Sequence, residues 1–314
     1  MILGHQKQRQ FLRHLAKIDK IAHAYLFSGE SQIGKRTVAL EFIKLLNCKI
    51  TDFNKKPCQT CHPCKALQKN QHPDLIVVEP QLSFLKDIQI KEKQEIKIAQ
   101  IRALRQKLSF SSYSGSIKAV ILDKAERLNQ EAASAFLKIL EEPKGKTIFI
   151  LVSSHPEMIL PTILSRVQRI KFFPIALAEL KTYLGQKKIT ENQIKEIISF
   201  SLARPGIAID YLNNPDKLKD EKEKIQQLEK LISSNLFERF EYAKKLSKDS
   251  QDLKKTLNIW LKYLRNILLL KISSENLRVV KVRKILKAMQ KTIFLLSSTN
   301  VNSQLALETL MLEL

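Results

Sequence analysis

Residues 24–46 place the strongest constraint on what this chain can fold into. Ala24-Tyr25-Leu26-Phe27 is a short apolar run that reads as a buried strand ending at Ser28-Gly29. Thr37 to Leu46 has the spacing of an amphipathic helix. Between them, Gly29-Glu30-Ser31-Gln32-Ile33-Gly34-Lys35-Arg36 fits the loop G-x-x-x-x-G-K-[ST] until its last position. Strand, glycine loop and helix in that order form a cradle whose backbone N–H groups and lysine can hold phosphates. The last position should carry a hydroxyl that ligates Mg²⁺. Arg36 is instead a permanent cation with no acceptor atom. Gly29, Gly34, Lys35, Arg36 and Thr37 are therefore candidates for a degenerate nucleotide site, with ATP or ADP as the cofactor such a loop would take.

The pattern continues downstream. Leu75-Ile76-Val77-Val78, Ala119-Val120-Ile121-Leu122-Asp123 and Thr147 to Val152 read as further buried strands, and Ile170 to Pro174 as a short fifth one. Helical stretches at Ile98 to Leu108 and Gln130 to Leu140 alternate with them. Strands that are continuous apolar runs between helices predict a parallel α/β sheet covered on both faces. Residues 6–18 predict a helix with Phe11, Leu12, Leu15 and Ile18 on one face, and residues 81–97 a charged surface excursion. After Pro174 the character becomes helical, in long stretches from about residue 216. Three domains are expected: 1–174, 175–214 and 215–314.

Four cysteines are the only ones in 314 residues, and they fall together as Cys48, Cys58, Cys61 and Cys64. The spacing C-x9-C-x2-C-x2-C turns pairs of thiolates toward one ion. Four thiolates with no open position predict a structural, tetrahedral Zn²⁺ site. An iron–sulfur cluster or free thiols are the alternatives. No secretory signal and no apolar run of membrane-spanning length is visible, so a soluble, cytoplasmic chain with no membrane partner is expected. The net charge of +23 has two readings, contact with a polyanion such as nucleic acid or compositional drift toward lysine.

Asp123 stands at the end of the third strand, where Mg²⁺-linked water is held in phosphate-loop proteins. It is followed by Lys124, which cannot act as a base at neutral pH, and Glu126 is expected to point elsewhere. Ser165-Arg166 lies at a surface edge, as a solvated arginine or as a finger for a neighbour's nucleotide. Trp260, Tyr263, Leu264, Ile267 and Leu268 form an apolar stripe on the longest helix that reads as core or helix–helix interface, with a base-stacking surface as the alternative. The histidines, His5 among them, have no readable partner.

His23-Ala24-Tyr25-Leu26-Phe27-Ser28-Gly29, the cysteine knuckle, His72-Pro73-Asp74-Leu75, Ala125-Glu126-Arg127-Leu128, Leu137 to Pro143 and Leu160 to Arg166 occur in one order. In that order the chain resembles bacterial DNA polymerase III clamp-loader subunits, from about residue 3 to about 210. The resemblance implies an AAA+ parallel-sheet nucleotide-binding domain, a small helical lid and an all-helical C-terminal collar. Arg36 and Lys124 are similar to the delta-prime members of the family, where the hydrolysing gamma/tau members keep Ser/Thr and Glu. By the same resemblance Arg204 in Ala-Arg-Pro-Gly is a nucleotide-sensing position, and Arg166 acts in trans on a neighbouring subunit. Val167 departs from the family's Ser-Arg-Cys. The implied partners are gamma/tau and delta subunits, the sliding clamp and primed DNA, in a DNA polymerase complex to which this chain adds no ATPase activity of its own. A hydrolysing gamma/tau-like motor and a zinc-bearing nucleic-acid-binding module are the alternatives.

Overall fold

The computed structural model describes residues 2–81, 94–113, 117–187, 189–271, 277–299 and 301–314. The core of the expected 81–97 excursion lies outside the described residues. The chain divides into two compact units. The first holds residues 1–194 and 203–207; the second holds 195–202 and 208–314.

The first unit is built on five parallel strands: β1 (Ala24–Ser28), β2 (Leu75–Val78), β3 (Lys118–Asp123), β4 (Thr147–Ser153) and β5 (Gln168–Lys171). Their order is β2-β3-β4-β1-β5. Successive side chains of a strand point to opposite faces, and here both faces are packed. Ala24, Leu26, Val120, Leu122, Phe149 and Leu151 face α4 (Ile98–Ser109) and α5 (Gln130–Glu141) in one apolar cluster. Tyr25, Phe27, Ala119, Ile121, Ile148 and Ile150 face α1 (Gln6–Lys17) and α2 (Lys35–Asn47) in the other. That is why the interiors of β1, β3 and β4 are continuous apolar runs. Each fully buried Leu, Ile or Phe contributes roughly 1.5–3 kcal/mol by removal from water.

Local signals fix the helix starts. Asn129 begins α5 by accepting a hydrogen bond from the Ala132 amide at 2.8 Å. Gly34, at φ +105°, turns the chain into α2. The knuckle follows α2, and Cys61 starts α3 (His62–Gln68) with Pro63 in its first turn. The unit continues through the short α6 (Pro161–Leu164) and α7 (Leu177–Gly185).

Two expectations are corrected. The fifth strand lies at Gln168–Lys171, not at Ile170–Pro174. As an edge strand it exposes Gln168, Arg169 and Lys171 and buries only Ile170, so its polarity hid it, while Phe172 beyond its end is buried against β1. In α1 only Leu12 is fully buried; Phe11 and Ile18 are exposed.

The helices α8 (Glu191–Ser201) and α9 (Pro205–Asn213) straddle the boundary between units. The second unit then runs through α10 (Pro215–Ser233), α11 (Leu236–Ser247), α12 (Ser250–Lys271), α13 (Leu277–Ser298) and α14 (Ser303–Met311). Its core gathers around Trp260, which is fully buried, as the stripe on α12 predicts. The indole donates to the Lys224 carbonyl at 2.7 Å and stacks on Tyr242 at 5.9 Å. Burial of the Lys224 ammonium is offset by ion pairs to Asp252 and to Asp220, the latter at 3.6 Å. Among the described residues, no helix is long and apolar enough to cross a membrane.

Candidate functional site

Register brings the site together. Ser28 pairs with Ser153 across β1 and β4, and Asp123 pairs with Val152 across β3 and β4. The loop after β1, the acidic end of β3 and Ser153-Ser154 therefore open on the same carboxyl edge of the sheet, where α/β folds bind ligands.

The loop is tightly held. A methyl at Gly29 would lie 2.4 Å from the Phe172 carbonyl oxygen, and its φ of +148° disfavours other residues. The His5 Nε2 lies 2.5 Å from the Ile33 carbonyl oxygen, and the ring packs edge-on against Phe172. Burial holds the His5 pKa below its usual value. His5 has no partner readable from sequence because its contact with the loop spans 28 residues and leaves no local signal.

Lys35 is buried and folds back on its own loop. Its Nζ donates to the carbonyls of Gly29 at 2.6 Å and Glu30 at 2.5 Å, with Ser154 Oγ at 3.4 Å. Burial lowers its pKa to about 8, opposed first by the charge of Glu126 and then by Asp123 and Glu30. Glu126 thus faces the loop, contrary to expectation. Lys124, at φ +51°, turns the chain after β3 so that Glu126 Oε1 accepts from the Ser154 amide at 3.4 Å.

Arg36 lies across the metal position. Its Nη1 ion-pairs with Glu79 and approaches Asp123 Oδ2 at 3.3 Å. The other Asp123 oxygen accepts from the Lys124 amide at 3.0 Å. A divalent cation does not fit these residues: the hydroxyl is missing, and a guanidinium occupies the carboxylate that would orient its water. Thr37, next in α2, is exposed.

The segment 203–207 closes on the loop from another side. The Gly206 amide donates to the Gln32 carbonyl at 2.8 Å, and a methyl at Gly206 would lie 2.5 Å from that oxygen. Arg204 is buried, with Nη1 3.8 Å from Glu30 Oε2. Gly29, Gly34, Lys35, Arg36, Asp123 and Arg204 are therefore gathered at one place.

Arg166 is elsewhere. It pairs with Glu141 at 2.8 Å and donates to the Thr162 carbonyl at 3.0 Å, half exposed at the end of α6. Val167 beside it is buried in the core under α5.

The cysteines form a second centre. The Sγ atoms of Cys48, Cys58, Cys61 and Cys64 all lie within 4.8 Å of one another. A tetrahedral zinc with bonds of about 2.3 Å needs sulfur separations of about 3.8 Å, so the cluster fits a metal after small closure. The Cys58 and Cys61 amides approach Cys48 Sγ and Cys58 Sγ at 3.5 and 3.3 Å, as thiolates require. Cys48 and Cys64 are buried, Cys58 and Cys61 half exposed. Arg13 of α1 fastens the preceding loop by donating to the carbonyls of Phe53, Asn54 and Lys56.

Residues 4–176 match the family described as DNA polymerase III, delta subunit. The chain is 33% identical over 186 residues to the DNA polymerase III subunit delta' of Bacillus subtilis, covering 59% of this chain and 50% of the relative. It is 37% identical over 161 residues to the subunit delta' of Pseudomonas aeruginosa, covering 51% and 46%. It is 32% identical over 171 residues to the subunit tau of B. subtilis, covering 54% and 28%. The chain thus spans about half the length of the delta' relatives it matches. Among solved structures it is similar in fold to a DNA polymerase III gamma subunit-related protein from Thermotoga maritima, with TM-score 0.51, 20% identity and coverage of 96% and 97%.

Proposed function

The chain belongs to the DNA polymerase III delta subunit family, and on that premise we propose that it acts as the delta-prime member of a clamp loader, a non-hydrolysing subunit of the ring. Residues 1–174 supply the AAA+ nucleotide-binding domain, 175–214 the lid and 215–314 the collar that holds it to gamma/tau and delta subunits. The assembled ring places the sliding clamp on primed DNA in the cytoplasm. Zn²⁺ on the four cysteines braces the knuckle.

The observation that carries this reading is Arg36 lying on Asp123. Setting Mg²⁺ about 4 Å from that guanidinium costs roughly 8 kcal/mol at an effective dielectric near 20. Lys124 in place of a general base removes a further factor of about 10² to 10⁴. Both disable hydrolysis at this chain's own site, while the similarity to delta' proteins supports a place in the loader.

Such a subunit contributes through its neighbour. Arg166 sits half exposed on an ion pair that a stronger anion can replace. In the assembled ring it donates to the γ-phosphoryl oxygens of the adjacent subunit's ATP, where such fingers are worth about 10³ to 10⁵ in rate. The test is to assemble the loader with Arg166→Ala. Clamp- and DNA-stimulated ATPase should fall in part, since one site of several is affected, and clamp loading should fall further. Unchanged ATPase and loading in a ring that assembles normally would make Arg166 a surface residue.

A further inference from the structure

A divalent cation in a phosphate loop needs carboxylate lone pairs and a hydroxyl. Here both Asp123 oxygens are engaged, one by the Lys124 amide and the other by Arg36. Glu79 is held by the same guanidinium, and Glu126 accepts from the Ser154 amide through Oε1, with Oε2 buried and without a hydrogen-bond partner. The positive charge at this place is therefore built into the chain. It is also oriented: among the described residues, both ion pairs of Arg36 run through Nη1. Nη2 and Nε remain to donate elsewhere, and an arginine fork matches phosphate oxygens.

The other donors converge on the loop. Lys35 spends its hydrogens on two loop carbonyls and a distant hydroxyl, acceptors weaker than a phosphate oxygen. The α2 amide ends open behind Gly34. Arg204 is buried and directed at Glu30 of the same loop. We propose that this loop binds the phosphate chain of an adenine nucleotide without a divalent cation, the Arg36 guanidinium standing where the metal would be. The inference rests on the reading of the chain as a non-hydrolysing loader subunit and deepens it. The bound nucleotide is a fixed structural ligand that bridges the loop and the 203–207 segment.

The test uses the full chain with its knuckle metal intact, so divalent cations are removed from the buffer by resin instead of a soluble chelator. Displacement of a fluorescent ADP analogue by ADP is measured with and without millimolar Mg²⁺. ADP should bind without Mg²⁺, and millimolar Mg²⁺, which takes up part of the free ADP as its own complex, should leave the apparent affinity equal or weaker. Tightening by about tenfold or more with Mg²⁺ overturns the proposal, and so does failure to bind in either buffer. Arg36→Ser restores the hydroxyl and frees Asp123; its affinity should become at least about tenfold tighter with Mg²⁺ than without. Arg36→Gln should lose affinity in both buffers and gain no metal dependence. If Arg36→Ser remains folded by circular dichroism and indifferent to Mg²⁺, the guanidinium is not the metal's substitute. Assembly with gamma/tau and delta subunits, measured without nucleotide, keeps the two readings apart. A chain that assembles and binds no ADP fails here alone, and one that binds ADP and never assembles fails as a loader subunit.

Discussion

Replacing Lys35 with methionine should leave stability nearly unchanged at neutral pH and should make the variant the less stable protein above pH 9. Lys35 is 5% exposed, and burial lowers its pKa from 10.5 to about 8. The folded state thus holds its proton less tightly than the unfolded chain. Between those two values the unfolded chain binds more protons, so stability rises with pH across that window and the full penalty is present below it. At full weight the difference corresponds to about 3 kcal/mol, and to about 2 kcal/mol after allowing for solvent at the mouth of the loop. Methionine removes the penalty but leaves the Gly29 and Glu30 carbonyls without their ammonium donor, at a cost of about 1 kcal/mol each. The variant should match wild type near pH 7 and be about 1 kcal/mol less stable by about pH 9.5. Urea unfolding followed by far-ultraviolet circular dichroism at several pH values gives the difference directly, with thiol and tyrosine titrations common to both proteins. A wild-type-minus-variant difference that stays flat across this range would refute the reasoning. So would a variant several kcal/mol less stable at pH 7.

The purified chain should carry about one equivalent of zinc on its cysteines, and its removal should lower the melting temperature by about 10 °C. Unchanged melting after demetallation would show that the cluster carries no structural load. Cys64→Ser, at a buried ligand position, should lose the zinc outright by metal analysis. Gly206→Val should destabilise the first unit by about 1–3 kcal/mol, because its Cβ would meet the Gln32 carbonyl at 2.5 Å. The same substitution should weaken ADP binding. Gly185→Ala, whose methyl meets nothing within 4 Å, is the control and should leave both stability and binding unchanged.

Legibility followed sequence distance. The strands β1, β3 and β4 could be read because burial on both faces makes their interiors continuously apolar. The strand β5 could not, since an edge strand with one buried side chain leaves no run to see. The loop and Arg36 were legible because a motif specifies them residue by residue. Glu79 as partner of Arg36 was not, because the pairing spans 43 residues and depends on β2 and β1 opening on one sheet edge. Glu126 is hidden for a different reason. Its direction is set by one left-handed residue, Lys124, and a non-glycine at positive φ has no sequence signature. The cysteine cluster was legible because all four ligands lie within one short stretch.

The chain has a single tryptophan, and its indole is sealed inside the helical unit against Tyr242. The protein therefore comes with an optical label that belongs to one unit alone. Far-ultraviolet dichroism registers backbone melting everywhere, whereas indole emission registers the opening of residues 208–314. Recording both along one denaturant series separates the two halves of the molecule without any engineered probe. A change confined to the phosphate loop or the cysteine knuckle should move the dichroism curve, and whether the emission curve follows it measures how far the two halves melt as one.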